Sequence, residues 1–473
     1  MPTTENDRRG TGDEPSPEER PLRLDAQADL APHVDRARAA QRLWARTAPA
    51  QRRELVEGLR ARLVTAHDGF ARLQSMATGE TLVDVAMGDL DPLLSLLSAL
   101  PRDGARLFGS VGPLARLRGT PSVSRLPVGV VGLSVGAKAR LLDLLAPAAT
   151  ALFAGNAVVF AGREANDPVA SACVDLLREQ LAVVGASEAL VVYVSGVERS
   201  PVLLDAVGVD TLWSSDRSRA AGLSMSIAAD ADLDLAASRA MGGAFASAGG
   251  ARLPVRRVYA APEIHAALVA RLTAAVAAMR LGPANGPRLV DCAEASQPAD
   301  LARVDELLGD AVARGARILV GGDHVESLGA RFYRPTLLVD VDPSMRIARE
   351  SFEGPVLCLM RCGLTPPAGR VARLELSNHG ACMEMADPER AGWALGALAV
   401  PEALRACTRA QVRLDDPNCP PRRSYPIRAT SYPMLRELAG IWYGAGARTR
   451  LTHAFGAVRL LAEERLARIS GAA

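Results

Sequence analysis

The chain is poor in aromatic residues, which fill 4% of its 473 positions, while Ala, Leu, Arg and Gly dominate; that bias reflects coding composition and selects no function. It also lacks a charge excess of either sign. A formal net charge of +2 gives no global pull toward nucleic acid or a membrane surface, so local charges must decide any recognition. Its seven cysteines, Cys173, Cys292, Cys358, Cys362, Cys382, Cys407 and Cys419, are odd in number and scattered, with no CxxC pair and no histidine at metal-ligand spacing. That pattern argues against a disulfide framework or a metal site of the spaced-ligand type and fits a reducing cytoplasm. The longest apolar run, around residues 141–153, is broken by Asp143 and Pro147 and is too short to span a bilayer. Residues 1–32 are polar, without the apolar core of a signal peptide or membrane anchor, and read as a disordered tail. What remains, with 49% hydrophobic residues overall, supports two or three domains with large cores.

What is present is organised around residues 126–160. Residues 127–135 are rich in Val and Gly and carry no charge, the signature of a strand buried on both faces of a parallel sheet. Leu141, Leu142, Leu144, Leu145 and Ala148 then recur at helical spacing, and the Gly155-Asn156 turn leads into a second apolar strand, 157–160. This is a βαβ unit, and a ligand cleft in such sheets lies beyond the carboxyl ends of the strands, near Ser134 to Ala139. Gly129 to Gly132 do not form GxGxxG, so the common dinucleotide fingerprint is missing.

Before this unit, residues 33–108 have a helical pattern. After it, helix 168–184, strands at 189–194 and 211–214, and a short helix from Ser200 continue a doubly wound alternation. A second region begins near Asp230. Asp232 and Asp234 open a helix, where acidic residues complement its dipole; strands follow at 255–259, 317–320, 336–341 and 356–360, with helices at 264–279 and 300–314. The tail from Tyr432 is mostly helical.

Several motifs stand in a telling order: Trp44, Thr78-Gly79-Glu80, Pro127-Val128-Gly129-Val130, Ala154-Gly155-Asn156-Ala157-Val158-Val159, Val209-Asp210, Asp230-Ala231-Asp232-Leu233-Asp234, Gly315-Ala316 with Gly321-Gly322, Pro335-Thr336, and Glu350 with Gly354-Pro355-Val356. By their order and spacing the chain resembles the aldehyde dehydrogenase superfamily. The resemblance implies an α/β fold: a doubly wound, Rossmann-like cofactor domain, a second α/β domain of the catalytic type and a small oligomerisation arm. The boundaries it suggests are 33–234 for the first, with the arm at about 112–126, then 235–425 for the second and 426–473 for a C-terminal helical segment.

The functional positions depart from that family. Its nucleophilic cysteine falls on Arg252 in Ala248-Gly249-Gly250-Ala251-Arg252, and a guanidinium cannot form a thioester. Its oxyanion-steadying Asn falls on Lys138, which still stabilises an anion. The Lys of the adenosine ribose falls on Ala161, with the neighbouring acid kept as Glu164. The pyrophosphate turn reads Ser214-Ser215-Asp216-Arg217, in which Arg217 attracts phosphate and Asp216 repels it. The segment of the general base holds no glutamate, the acid of the nicotinamide ribose becomes Ser351, and the ring-contacting Phe becomes Glu353.

Taken together these changes lead to the expectation that no cofactor is used, and that Lys138, Arg252 and Glu353 form a repurposed site with Arg140 at its rim. Glu164, Arg217 and Ser351 are the degenerate dinucleotide positions. Two cations and a carboxylate suit acid–base chemistry on a small anionic metabolite. The alternatives are a non-catalytic member of the superfamily, or an NAD(P)-dependent aldehyde dehydrogenase or oxidoreductase with relocated catalytic residues. Cys358, in an apolar strand, reads as a core residue, and Cys382, near His379, as an outside candidate for a substitute thiol. The partners expected are a small-molecule ligand and either a second copy of the chain or another enzyme, with no nucleic acid and no membrane, in the cytoplasm.

Overall fold

The computed structural model describes residues 24–107, 122–136, 140–163, 167–197, 200–214, 223–251, 254–295, 297–360, 373–377, 380–384, 400–413, 451–452, 454–460 and 462. Lys138, Glu164, Arg217 and Arg252 lie outside the described residues.

Helices α1 (Leu24–Trp44), α2 (Pro49–Thr65), α3 (His67–Thr78) and the short α4 (Leu82–Val85) open the chain. A π-helical turn, Ala86–Leu90, joins α4 to α5 (Asp91–Leu107). Leu55, Leu59 and Leu63 recur every four residues and bury one stripe of α2. The tail expected over 1–32 is too long, because α1 begins at Leu24 and buries Leu30 completely. Asp25, Gln27 and Asp29 around it hide that core residue in a polar composition.

Next come β1 (Ser122–Pro127), β2 (Val130–Val135), α6 (Leu141–Ala154), β3 (Ala157–Gly162), α7 (Pro168–Val183), β4 (Val191–Val194), α8 (Ser200–Ala206) and β5 (Thr211–Ser214). Four of these strands form a parallel sheet in the order β4-β3-β2-β5. Every residue of β2 and β3 is buried, as continuous apolar runs covered on both faces require. All but Asp143 of α6 is buried, which is why its apolar residues are not confined to one stripe. Gly155 ends α6 at φ 96°, and Asn156 clamps the turn: its Oδ1 accepts from the Gly129 N–H at 2.9 Å and its Nδ2 donates to the Cys407 carbonyl at 2.9 Å.

The second sheet uses β6 (Leu223–Ile227), β7 (Val255–Ala260), β8 (Arg317–Val320), β9 (Thr336–Val341), β10 (Val356–Met360), β11 (Arg373–Ser377) and β12 (Gly380–Glu384). Their order is β12-β11-β6-β7-β10-β9-β8, parallel except for antiparallel edges at β12 and β8. The two-residue period of the strands divides them between two cores. Leu357 and Leu359 join one, with α9 (Leu233–Phe245) and α10 (Pro262–Ala277); Val356, Cys358 and Met360 join the other, with α11 (Pro298–Ala313). Asp232 caps α9 by accepting from the N–H groups of Asp234 and Leu235. A short helix, α12 (Arg346–Arg349), precedes β10, while α13 (Val400–Ala406) leads into β13 (Thr408–Arg413), which pairs with β1 in a two-stranded sheet. Residues 122–125, 410–413 and those from 451 onward belong to a second compact unit; the other described residues belong to the first. Among the described residues no helix is long and apolar enough to cross a membrane.

Candidate functional site

Two regions of the first unit carry the site, and each begins from a local anomaly in the chain. The first is the turn that follows α9. Ser247 and Ala248 take left-handed backbone conformations at φ 53° and 50°, which residues with a Cβ rarely adopt, and Gly249 continues at φ 81°. Conformations of this kind cost on the order of 1–3 kcal/mol each and persist only where the surroundings fix them. Here three groups do so.

Arg256 is the first. The pairing of β6 with β7 steps from Leu223 opposite Val255 to Ser224 opposite Arg257, so Arg256 is the extra residue of a β-bulge. The bulge re-aims its side chain. Nη1 donates to the Gly354 carbonyl at 2.6 Å, and Nη2 donates to the carbonyls of Gly249 and, at 3.2 Å, Phe352; the guanidinium carbon lies 4.6 Å from the centre of the Phe352 ring. Gly249 packs so tightly on Gly354 that a Cβ added there would overlap the Gly354 carbonyl. Ser351 and Glu353, both half-buried, flank Phe352 on this clamped segment.

The second is Arg140, which lies just before α6. Expected at the rim of a cleft, it is instead 4% exposed and fully engaged: Nη1 meets Glu80 at 2.9 Å, Nη2 meets Asp89 at 2.6 Å, and Nη1 also donates to the Gly250 carbonyl at 3.4 Å. Gln74 completes the cluster by donating to Asp89 and Glu80 and accepting from the Leu141 N–H at 2.8 Å. The start of α6 therefore has its caps supplied by α3 and the π-helical turn. Arg140 ties the segment after Lys138 to the segment before Arg252. The side chains of Lys138 and Arg252 themselves fall outside the described residues.

Asp84 is the third. Thr81 donates to it at 2.8 Å, and the Ser247 N–H bonds to it as well. Burial pushes the Asp84 carboxyl above its ordinary value, more than these hydrogen bonds lower it. A carboxyl whose pKa rises on folding contributes stability that is full below the unfolded pKa and is lost as pH climbs through the folded value. Asp84→Asn keeps an acceptor for Thr81 and carries no charge. It is expected to match or exceed the parent in stability near neutral pH, with the advantage fading as pH falls toward about 4. Thermal unfolding followed across that range checks this, and a loss that is uniform with pH would contradict it.

The second region is the carboxyl edge of the four-stranded sheet. Ser134, at the end of β2, hydrogen-bonds Ser200 Oγ to Oγ at 2.7 Å, both buried. Gly162, at the end of β3, lies so close to Tyr193 of β4 that an added Cβ would sit 3.0 Å from the phenol oxygen. That oxygen is buried and has no hydrogen-bond partner among the described residues. Burial, reinforced by the nearby Asp167, pushes the Tyr193 phenol up, so it remains a protonated donor. A parallel sheet edge with a glycine beside an orphan phenol donor fits the oxygens of a dinucleotide.

Four of the cysteines offer no thiolate to this site. Cys173, Cys292, Cys358 and Cys407 are completely buried, and burial pushes the thiols of Cys292 and Cys358 up to about 12 and that of Cys173 higher still. Cys382 lies on edge strand β12, in register with Glu375. Among the described residues no cluster of three or more His, Cys, Asp or Glu is placed to hold a metal ion.

The model of the aldehyde dehydrogenase family matches residues 22–212 and 222–365, and the chain belongs to that family. It is similar to a putative aldehyde dehydrogenase-like protein of Schizosaccharomyces pombe, 25% identical over 383 residues that cover 72% of this chain and 70% of the relative. It is also similar to the 3-sulfolactaldehyde dehydrogenase of Pseudomonas putida, 27% identical over 360 residues that cover 71% and 72%. Two solved structures share the fold. An NAD-dependent benzaldehyde dehydrogenase from Corynebacterium glutamicum matches with TM-score 0.62 at 19% identity, covering 82% of this chain and 90% of that one. The betaine aldehyde dehydrogenase of Staphylococcus aureus in complex with NAD+ matches with TM-score 0.58 at 20% identity, covering 71% of each.

These relatives overturn the expectation that no cofactor is used, since the structures that share the fold include an NAD-dependent enzyme and an NAD+ complex. That expectation weighed single substitutions at motif positions counted along the chain. It had no view of the sheet edge, where Ser134 of β2 bonds Ser200 of α8 on one face and Gly162 of β3 packs against Tyr193 of β4 on the other. Nothing in the spacing of Tyr193 or Ser200 marked them. Arg256 was open to notice as one of two consecutive arginines inside an otherwise apolar strand.

Proposed function

We propose that the chain is an oxidoreductase of the aldehyde dehydrogenase family that binds a nicotinamide dinucleotide along the carboxyl edge of the four-stranded sheet and acts on a small aldehyde by a route without a thiol. The observation that carries this reading is the buried, unpartnered phenol of Tyr193 beside Gly162, a donor with nothing in the described protein to receive it. Glu164, Arg217 and Ser351 are the positions proposed to complete the contacts. A bound nicotinamide supplies the acceptor or donor of a hydride. The protein's part is to orient the carbonyl and manage charge: Lys138 and Arg252 polarise its oxygen, and Glu353 holds or releases a proton. The same pair of cations suits a substrate that carries an anionic group, in line with a relative named for a sulfonated aldehyde.

A second reading, a member that binds but does not turn over, is favoured by the four completely buried cysteines, none of which can serve as the family's nucleophile. One assay separates the two. Aldehydes with and without an anionic group are incubated with NAD+ or NADP+, and reduced cofactor is followed by its absorbance. Dinucleotide-dependent turnover that falls at least about a hundredfold in Lys138→Ala and in Arg252→Ala supports the first reading. Bound dinucleotide with no turnover of any aldehyde leaves the second.

A further inference from the structure

The first unit carries a cleft of about 640 Å³ that the dinucleotide reading does not use. Arg38, Arg42 and Arg46 approach it from α1 and the turn that follows, and Arg409 joins them from β13. Leu126, Pro127, Val128 and Gly129 form a floor without charged side chains. Because Gly129 immediately precedes β2, the cleft lies at the amino end of that strand, whereas Ser134, Gly162 and Tyr193 mark the carboxyl edge of the sheet. A dinucleotide in an open parallel sheet binds at the carboxyl edge, so a ligand in this cleft is a different one.

Its charge balance defines that ligand. Arg38 is committed: Nη1 pairs with Asp210 at 2.6 Å and Nη2 donates to the Gly208 carbonyl at 2.7 Å, while Asp210 also accepts from the Val130 N–H at 2.8 Å. The pair holds α1 to the loop before β5 and is neutral overall. Arg42, Arg46 and Arg409 have no carboxylate partner among the described residues. Cations at the C-terminal end of α1 complement its dipole, which accounts for Arg42 and Arg46. It does not account for Arg409, which the fold brings to the same cleft from the far end of the chain. Three guanidinium groups around one cavity match multiply charged oxyanions, for which their planar donors are suited. The volume lies within the range of roughly 300–1,000 Å³ typical of small-molecule sites.

We propose that this cleft binds a small molecule bearing two or more phosphate groups, with its uncharged part lying on the Leu126–Gly129 floor. The test is calorimetric titration of the full chain with inorganic pyrophosphate at physiological ionic strength, where weak surface attraction is screened. Arg42→Ala, Arg46→Ala and Arg409→Ala are each expected to weaken binding by about tenfold, and the triple variant to abolish it. These three side chains are exposed, so melting curves should match the parent; Arg38 is left intact because it serves the fold. Saturating NAD+ should leave the pyrophosphate affinity unchanged, which separates this site from the dinucleotide edge. If the chain binds no dinucleotide at all, the arginine variants still decide the matter. No heat at millimolar pyrophosphate, equal affinity in the triple variant, or displacement of pyrophosphate by NAD+ would overturn the proposal.

Discussion

Arg140→Met is expected to destabilise the protein by about 3–5 kcal/mol, the cost of leaving a buried charge cluster without its counter-ion. Asp89 is 0% exposed and Glu80 only slightly more, and among the described residues Arg140 is the cation that bonds both. Methionine fills similar space but removes the guanidinium that lies between two carboxylates in a low-dielectric interior. Gln74 and the N–H groups of Leu141 and Leu142 remain as donors, but they are neutral and cannot balance the charge. Adding Asp89→Asn to Arg140→Met should recover part of the loss, because one of the two uncompensated charges is gone. Urea unfolding of the parent, both single variants and the double variant measures this. A cost below about 1 kcal/mol for Arg140→Met would show that the cluster is solvated. The effect on the site should be as large, since Arg140 joins the start of α6 to the Gly250 carbonyl.

Arg256→Met should cost about 3 kcal/mol or more, by a different route. Bonds to backbone are lost: the buried carbonyls of Gly249 and Phe352 lose this donor at once, and that of Gly354 keeps the Val356 N–H. The left-handed residues Ser247 and Ala248 then lose one of the contacts that hold them, so amide exchange of Gly249 and Gly250 should accelerate more than that of the rest of β7. Arg256→Lys should rescue little, because a single ammonium cannot serve three carbonyls in the plane that the guanidinium does. Full stability in the lysine variant would mean that only the charge matters.

Much of this architecture was legible in the sequence because it rests on apolar runs. Strands 211–214, 317–320, 336–341 and 356–360 were read with the bounds they have; the unit from β2 through α6 to β3 was read as well, with its strands placed at 127–135 and 157–160 where the structure has 130–135 and 157–162. Strand β6 was not, since Ser224 and Ser226 alternate with Leu223, Met225 and Ile227, and the stretch was read only as a shortened remnant of a family motif. Charged residues similarly concealed β11, whose sequence is RLELS. At the site, the identities of Glu353 and Ser351 were visible, but the clamp around them was not. Arg140 and Asp89 are separated by 51 residues, and Arg256 reaches carbonyls 96 and 98 residues away. Pairings of that kind follow from which helices and strands pack together, and no local pattern encodes them. The bulge that turns Arg256 inward is equally silent, because one extra residue leaves no signature in an apolar strand.

Calorimetric titration of the purified chain with NAD+ and then NADP+ tests the proposed dinucleotide edge most directly. Saturable binding of one of them with a dissociation constant on the order of micromolar is expected. Tyr193→Phe should weaken it by roughly threefold to tenfold, the worth of one buried hydrogen bond. An absence of heat at millimolar concentrations of both dinucleotides would contradict the reading and leave this member of the family without a redox cofactor.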